Sequence, residues 1–213
     1  MLLAIDIETV PQPGIMDTWY PEWAKEKHPD KTDQEIEAMA ALYPEFGMVC
    51  AVSVLKFIGQ ELETEVSKEY TAATMREEGR ILDDIAARFS TKYSIILVGH
   101  NIKGFDIPFL AKRCLAHEIT VPDALCMVGK KPWDIPHRDT MELMRFGGGA
   151  SMSLRSACHM LGLKDPKDDC NGRMVQKLFK EGNMEGIKEY CTGDALAAAG
   201  VYRAIVHGTS LVL

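Results

Sequence analysis

Apolar and polar positions change period several times along the chain, and each change predicts an element. Residues 2–8 (LLAIDIE) are apolar and end near Pro11 and Pro13, which predicts a short strand. Residues 12–32 hold four Pro/Gly positions with Trp19 and Trp23, and predict an irregular excursion. DQEIEAMAAL (33–42) predicts a short helix. MVCAVSVLKFI (48–58) predicts a strong strand, Gly59 and Gln60 a hairpin turn, and ELETEVSKEY (61–70) a more exposed strand. Helical spacing of Met75, Ile81, Leu82, Ile85, Ala86 and Phe89 predicts a helix within 73–91. SIILV (94–98) is a continuous apolar run between polar residues, as in a strand buried on both faces. A helix should follow over 104–116, and PHRDTMELMRF (136–146) reads as a short strand or turn leading into a helix. After the GGGAS break come helices over 152–161, capped by Ser151 or Ser153, over 172–181 and over 184–206. Strands crowd the first half and helices the second. The expectation is an α/β fold with a mixed sheet, in a single domain over 1–213.

Composition narrows this reading. The chain has 213 residues, 46% of them hydrophobic, enough for a sizeable core. Cysteines 50, 114, 126, 158, 170 and 191 form no CxxC pair, which fits reduced thiols and a cytoplasmic setting. No run of about 18 apolar residues predicts a membrane span. No basic segment precedes the N-terminal apolar run, so that run does not read as a secretory signal. The net charge of −7 argues against strong polyanion binding. Residues 99–180 nevertheless carry thirteen Lys/Arg against nine Asp/Glu. That imbalance is a modest clue to a basic surface, since position in sequence is not position in space.

The candidate chemistry is acidic. Asp6 and Glu8 are two apart on a strand, so both point to one face. Carboxylates that close raise each other's pKa unless a cation lies between them, and a divalent ion with oxygen ligands is the simplest resolution. Solvent at a strand end is the plain alternative. A second group, GHNIKGFDIPFL (99–110), directly follows the buried strand and places Asp106 at a helix start. The third is YCTGDALAAAGVY (190–202), where Tyr190 and Asp194 share a helix face that Ala197, Ala198 and Val201 continue toward the sheet.

Taken in order, Asp6-x-Glu8, Asn101-x3-Phe105-Asp106 and Tyr190-x3-Asp194 resemble the three motifs of the DnaQ-like, or DEDD, 3′–5′ exonuclease superfamily. A tyrosine four before the last Asp matches the DEDDy branch, and Glu189 stands where the other branch has histidine. DIETVP, YPEFGMVCAVSV and YCTGD are similar to the predicted exonuclease group related to the proofreading domain of family B DNA polymerases.

The resemblance implies an RNase H-like fold, a five-stranded mixed sheet flanked by helices. It implies Asp6, Glu8, Asp106, Tyr190 and Asp194 as catalytic residues. The four acids would hold two Mg²⁺ or Mn²⁺ ions. Asp6 would bridge both, Glu8 and Asp194 would serve the ion that activates water, and Asp106 would serve the second ion through water. Tyr190, with its high ordinary pKa, would orient the water. Thr9, His100, Asn101 and Phe105 would meet the substrate. The expected reaction is stepwise release of nucleoside 5′-monophosphates from the 3′ end of single-stranded DNA. The alternatives are an exoribonuclease or oligonucleotidase of the same superfamily, or a non-catalytic nucleic-acid-binding subunit. The implied partners are single-stranded nucleic acid, DNA ahead of RNA, and a polymerase or repair complex, with no membrane.

Other residues have two readings each. Trp133 in GKKPWDIPHRD could stack on a base or sit in an exposed loop. Lys103, Lys112 and Arg113 could touch the strand backbone or face solvent. Trp19 and Trp23 could form a lid or a satellite core. Asp139 reads as structural.

Overall fold

The computed structural model describes residues 1–91, 93–164 and 172–209, so Cys170 lies outside the described residues. Five strands form one mixed sheet in the order β3-β2-β1-β4-β5. They are β1 (Leu2–Pro11), β2 (Gly47–Ile58), β3 (Glu63–Thr71), β4 (Ile96–Gly99) and β5 (Arg138–Asp139). β1, β2 and β3 pair antiparallel, while β4 lies parallel to both β1 and β5. The helices are α1 (Tyr20–Lys27), α2 (Asp33–Ala40), α3 (Met75–Phe89), α4 (Asp106–Ala116), α5 (Thr140–Leu143), α6 (Leu154–Leu161), α7 (Gly172–Lys180) and α8 (Met184–Gly208). The expected α/β class and mixed five-stranded sheet are what the chain forms.

Two helical layers cover the sheet. On one face, Leu82 and Ile85 of α3 and Ile107 and Leu110 of α4 pack with Leu3, Ile5 and Leu97. On the other, Ala195, Ala199 and Tyr202 of α8 pack with Ala4 and Val98. Leu97 and Val98 thus bury β4 from both sides, as its unbroken apolar run predicts. Each fully buried Leu or Ile contributes roughly 1.5–3 kcal/mol. The small side chains let α8 approach the sheet closely, but the row that does so differs from the expected one. Ala197, Ala198 and Val201 pack instead against Leu154, Ala157 and Cys158 of α6.

The excursion is more ordered than its prolines suggest. Pro21 lies in the first turn of α1, where a missing N–H costs nothing, so it starts a helix there. Thr32 and Glu35 close a reciprocal capping box at α2. Tyr20, Ile36 and Phe46 form a small core with Trp23 and Tyr43 against it. Trp19 is 62% exposed and meets Trp23 and Phe46 edge-on. Trp23 therefore belongs to a satellite core, and Trp19 stands exposed at its edge.

Of the basic residues singled out, Arg113 is buried, and Lys103 makes a surface ion pair. Arg113 is 3% exposed and donates from Nε and Nη2 to Glu78 at 2.9 and 2.7 Å. Lys103 pairs with Glu142 at 2.6 Å. Lys112 is exposed, and so is Trp133, whose ring lies beneath Lys131. Among the described residues, no helix is long and apolar enough to cross a membrane.

Candidate active site

Alternation along β1 sends Leu3 and Ile5 toward α3 and α4, and Ala4 toward α8. Asp6 and Glu8 continue the Ala4 row, so both carboxylates meet α8. Asp194 comes down from that helix and is buried. One oxygen from each of Asp6, Glu8 and Asp194 lies within 4.8 Å of the others. Helix α8 is pinned at this level. The Cys191 thiol donates to the Asp6 carbonyl at 3.2 Å. Ser53, the ladder partner of Asp6, bonds to Thr192 at 2.7 Å, and Thr192 donates to Glu69 on β3.

Asp106 arrives from the opposite side. β4 pairs with β1 only over Leu2–Ala4, so the N–H groups farther along that edge need another acceptor. Asp106, the first residue of α4, supplies it by accepting the Ile7 N–H on Oδ1 at 3.2 Å. Asp106 lies outside the group of three, yet the charges interact. Burial raises the Asp6 pKa well above the ordinary carboxylate value, and the charges of Asp106, Glu8 and Asp194 raise it further. Burial likewise raises Asp106 to about 7, against the lowering effect of the Ile7 N–H, with Asp139 and Asp194 adding to the rise.

Three hard oxygen donors crowded this way suit a divalent cation. Asp6 Oδ2 carries the strongest sign: it is buried and accepts no hydrogen bond from the described residues. A buried carboxylate oxygen in that state is costly without a cation.

The other expected residues fall into two groups. Tyr190 is buried one turn before Asp194, with its hydroxyl inside the fold. Glu8, Thr9 and Phe105 line one side of a cavity of about 610 Å³ beside the acids. Phe105 rests on Phe109 with ring centroids 5.4 Å apart, and the Thr9 hydroxyl donates to the Ala41 carbonyl. Asn101 adopts a left-handed backbone (φ 67°) in the loop before Asp106. His100 is engaged within the fold: its Nδ1 bonds to Thr140 at 3.0 Å and its Nε2 to the Met152 carbonyl at 2.8 Å.

The rest of the cavity lining comes from residues that local sequence did not single out. Lys31, Met39, Leu42 and, from α7, Gln176 line the cavity together with Phe105. Nothing near them in sequence marks them, because only the folding of the excursion over the end of β1 brings them there.

The sequence matches the family described as a predicted 3′–5′ exonuclease related to the exonuclease domain of PolB, over residues 42–210. The chain belongs to this family. The matched span contains Asp106, Tyr190 and Asp194, while Asp6 and Glu8 precede it. The exonuclease is therefore an enzyme by family, and solved structures share its fold. The family B DNA polymerase of the hyperthermophilic archaeon Pyrobaculum calidifontis aligns at TM-score 0.55 and 17% identity, over 96% of this chain and 24% of that one. E. coli Exonuclease I, in complex with a 5cy-dA13 oligonucleotide, aligns at 0.54 and 11%, over 97% and 40%. The Saccharomyces cerevisiae Pan2 module, in complex with AAGGA RNA, aligns at 0.50 and 15%, over 97% and 29%. The exonuclease thus spans well under half of each of these chains, and the shared sheet is the RNase H-like exonuclease fold. No curated protein matches it by sequence.

The raised pKa values make a prediction about the metal-free exonuclease. A carboxyl whose pKa is higher folded than unfolded stabilises the fold below its unfolded value of about 4, and that contribution is lost as pH rises through the folded value. For Asp106 the loss runs from about pH 4 to about 7. Metal binding requires the deprotonated acids, so its benefit should grow over the same range. Millimolar Mn²⁺ should raise Tm more at about pH 8 than at about pH 5. Thermal scans at both values test this, and an equal gain would overturn it.

Proposed function

We propose that this exonuclease removes nucleotides one at a time from the 3′ end of single-stranded DNA, releasing nucleoside 5′-monophosphates with the help of two Mg²⁺ or Mn²⁺ ions. The observation that carries the reading is the convergence of Asp6, Glu8 and Asp194 around the buried Asp6 oxygen. Asp6, Glu8 and Asp194 would hold the ions, with Asp106 beside them. Divalent ions in such a site supply an activated water and stabilise the leaving 3′-oxygen. Tyr190 orients the attacking water by a hydrogen bond. Phe105 stacks against the terminal nucleotide, and Thr9 and Asn101 shape the cavity that receives it. The oligonucleotide complexes of Exonuclease I and Pan2 support a single-stranded substrate. We take residues 1–213 to act as one domain, with a polymerase or repair complex as its partner, in line with its kinship to PolB exonuclease domains.

The test uses 5′-labelled single-stranded DNA and RNA oligonucleotides side by side, with Mg²⁺ or Mn²⁺, resolved on a gel. A ladder shortening from the 3′ end of DNA, lost in EDTA, is the expected result. Faster shortening of RNA would replace DNA as the substrate. No shortening of either by folded protein with metal present would sink the reading. Within it, Tyr190→Phe should lower kcat by about tenfold with KM little changed, as loss of an interaction made only in the transition state requires. An unchanged kcat would remove the water-orienting role.

A further inference from the structure

We propose that Asp139, outside the carboxylate site, is a positioning residue that fixes the loop delivering Asp106. The proposal rests on the exonuclease reading above. Asp139 ends β5, the edge strand beside β4, and is buried. Its carboxylate accepts four backbone N–H groups. Oδ1 takes those of Asn101 (2.9 Å), Met141 (3.0 Å) and Glu142 (3.4 Å), and Oδ2 takes that of Lys103 (3.0 Å). One side chain therefore does two jobs. It caps α5, and it ties the turn after β4 to that cap.

The turn has little freedom to take another course. A Cβ on Gly99 would meet Ile102 and stand 2.7 Å from the Ile5 carbonyl. A Cβ on Gly104 would stand 2.5 Å from Asn101 Oδ1. Asn101 itself holds a left-handed φ, which asparagine adopts more readily than other side-chain-bearing residues. Asp139 holds the backbone on both sides of that turn, at Asn101 and Lys103, just before Asp106. Through Asp106, the anchor reaches the Ile7 N–H on the strand that carries Asp6 and Glu8.

The two jobs can be separated. Asparagine and serine are both good helix N-caps, so either should keep α5. Neither can hold Lys103 as well. The Asn amide nitrogen would face the Lys103 N–H donor against donor, and Ser has one oxygen and a shorter reach. Asp139→Asn and Asp139→Ser should each lower kcat about 10- to 100-fold, the usual cost of losing such an outer support, with KM within about twofold. Hydrogen exchange in both variants should show lost protection at the Ile7 amide and retained protection across the β2–β3 pairing. Unchanged kcat in a folded variant, or unchanged Ile7 protection, overturns the proposal. Failure of both variants to fold also overturns it, because Asp139 would then be a stability element. If wild-type protein degrades no nucleic acid, the exonuclease reading has failed, and the Ile7 exchange result still decides whether Asp139 positions Asp106.

Discussion

Asp6→Asn is expected to lower kcat by about 10³-fold, roughly 4 kcal/mol of transition-state stabilisation, while raising the Tm of the metal-free protein. The two effects share one cause. Asp6 is held in a buried site with Asp106, Glu8 and Asp194 as neighbours, and all of them oppose its ionisation. Such an arrangement is unfavourable for the fold and useful only when a cation is present. Amide for carboxylate removes the charge at nearly constant shape. A stabilisation of 1 kcal/mol corresponds to about 2–4 °C at this chain length. The matching loss is metal affinity, so Mn²⁺ should no longer raise Tm in the variant. Calorimetry with and without Mn²⁺, beside the gel assay, reads both effects. Full activity in the variant would remove Asp6 from the site. A lower metal-free Tm would mean that its carboxylate contributes to the fold and does not oppose it.

The second large effect concerns the fold and not the carboxylate group. Arg113→Met is expected to destabilise the fold by about 3–5 kcal/mol, because it leaves a buried carboxylate without its charged partner. Glu78 is fully buried and receives two hydrogen bonds from Arg113, one from Val49 N at 2.8 Å, and a contact with His117 at 2.8 Å. Arg113 also donates to the Pro44 carbonyl at 3.0 Å. This cluster joins α3, α4, β2 and the segment between α2 and β2. Removing both charges together, as Arg113→Met with Glu78→Leu, should recover much of the loss, since a pair replaced by apolar groups leaves no lone charge. Urea unfolding of the single and double variants checks this. A cost below about 1 kcal/mol for Arg113→Met would place the pair among surface-like bridges.

The parts legible in the sequence are those set by local period. Alternation placed Asp6 and Glu8 on one face, and the i, i+4 rule placed Tyr190 and Asp194 together. The apolar run at 94–98 marked the central strand. The missed parts depend on contacts between distant segments. Arg113 looks like any helix-surface cation until α3 brings Glu78 against it. Nothing in the sequence shows that Thr140 and Met152 engage the ring nitrogens of His100. Lys31, Met39 and Leu42 carry no signal before α2 folds over β1. The sheet-facing row of α8 differs from the expected one by a fraction of a turn, because small residues occur on both of its packed sides.

The pairing of β1 with β2 shifts register between Glu8 and Thr9: Glu8 lies opposite Ala51 and Thr9 opposite Val49. Cys50 is thus one residue more than β1 requires, placed beside the acids. A one-residue slip in a strand turns every following side chain to the other face. Deleting Cys50 would therefore regularise the ladder and turn the start of β2 over, exchanging side chains between two faces that are both buried. Natural gains and losses of single residues should be purged from this stretch. They should be tolerated at residues 59–61 of the β2–β3 turn, which are exposed. Family members of different lengths would then vary at that turn while keeping the spacing between Gly47 and Ser53 constant.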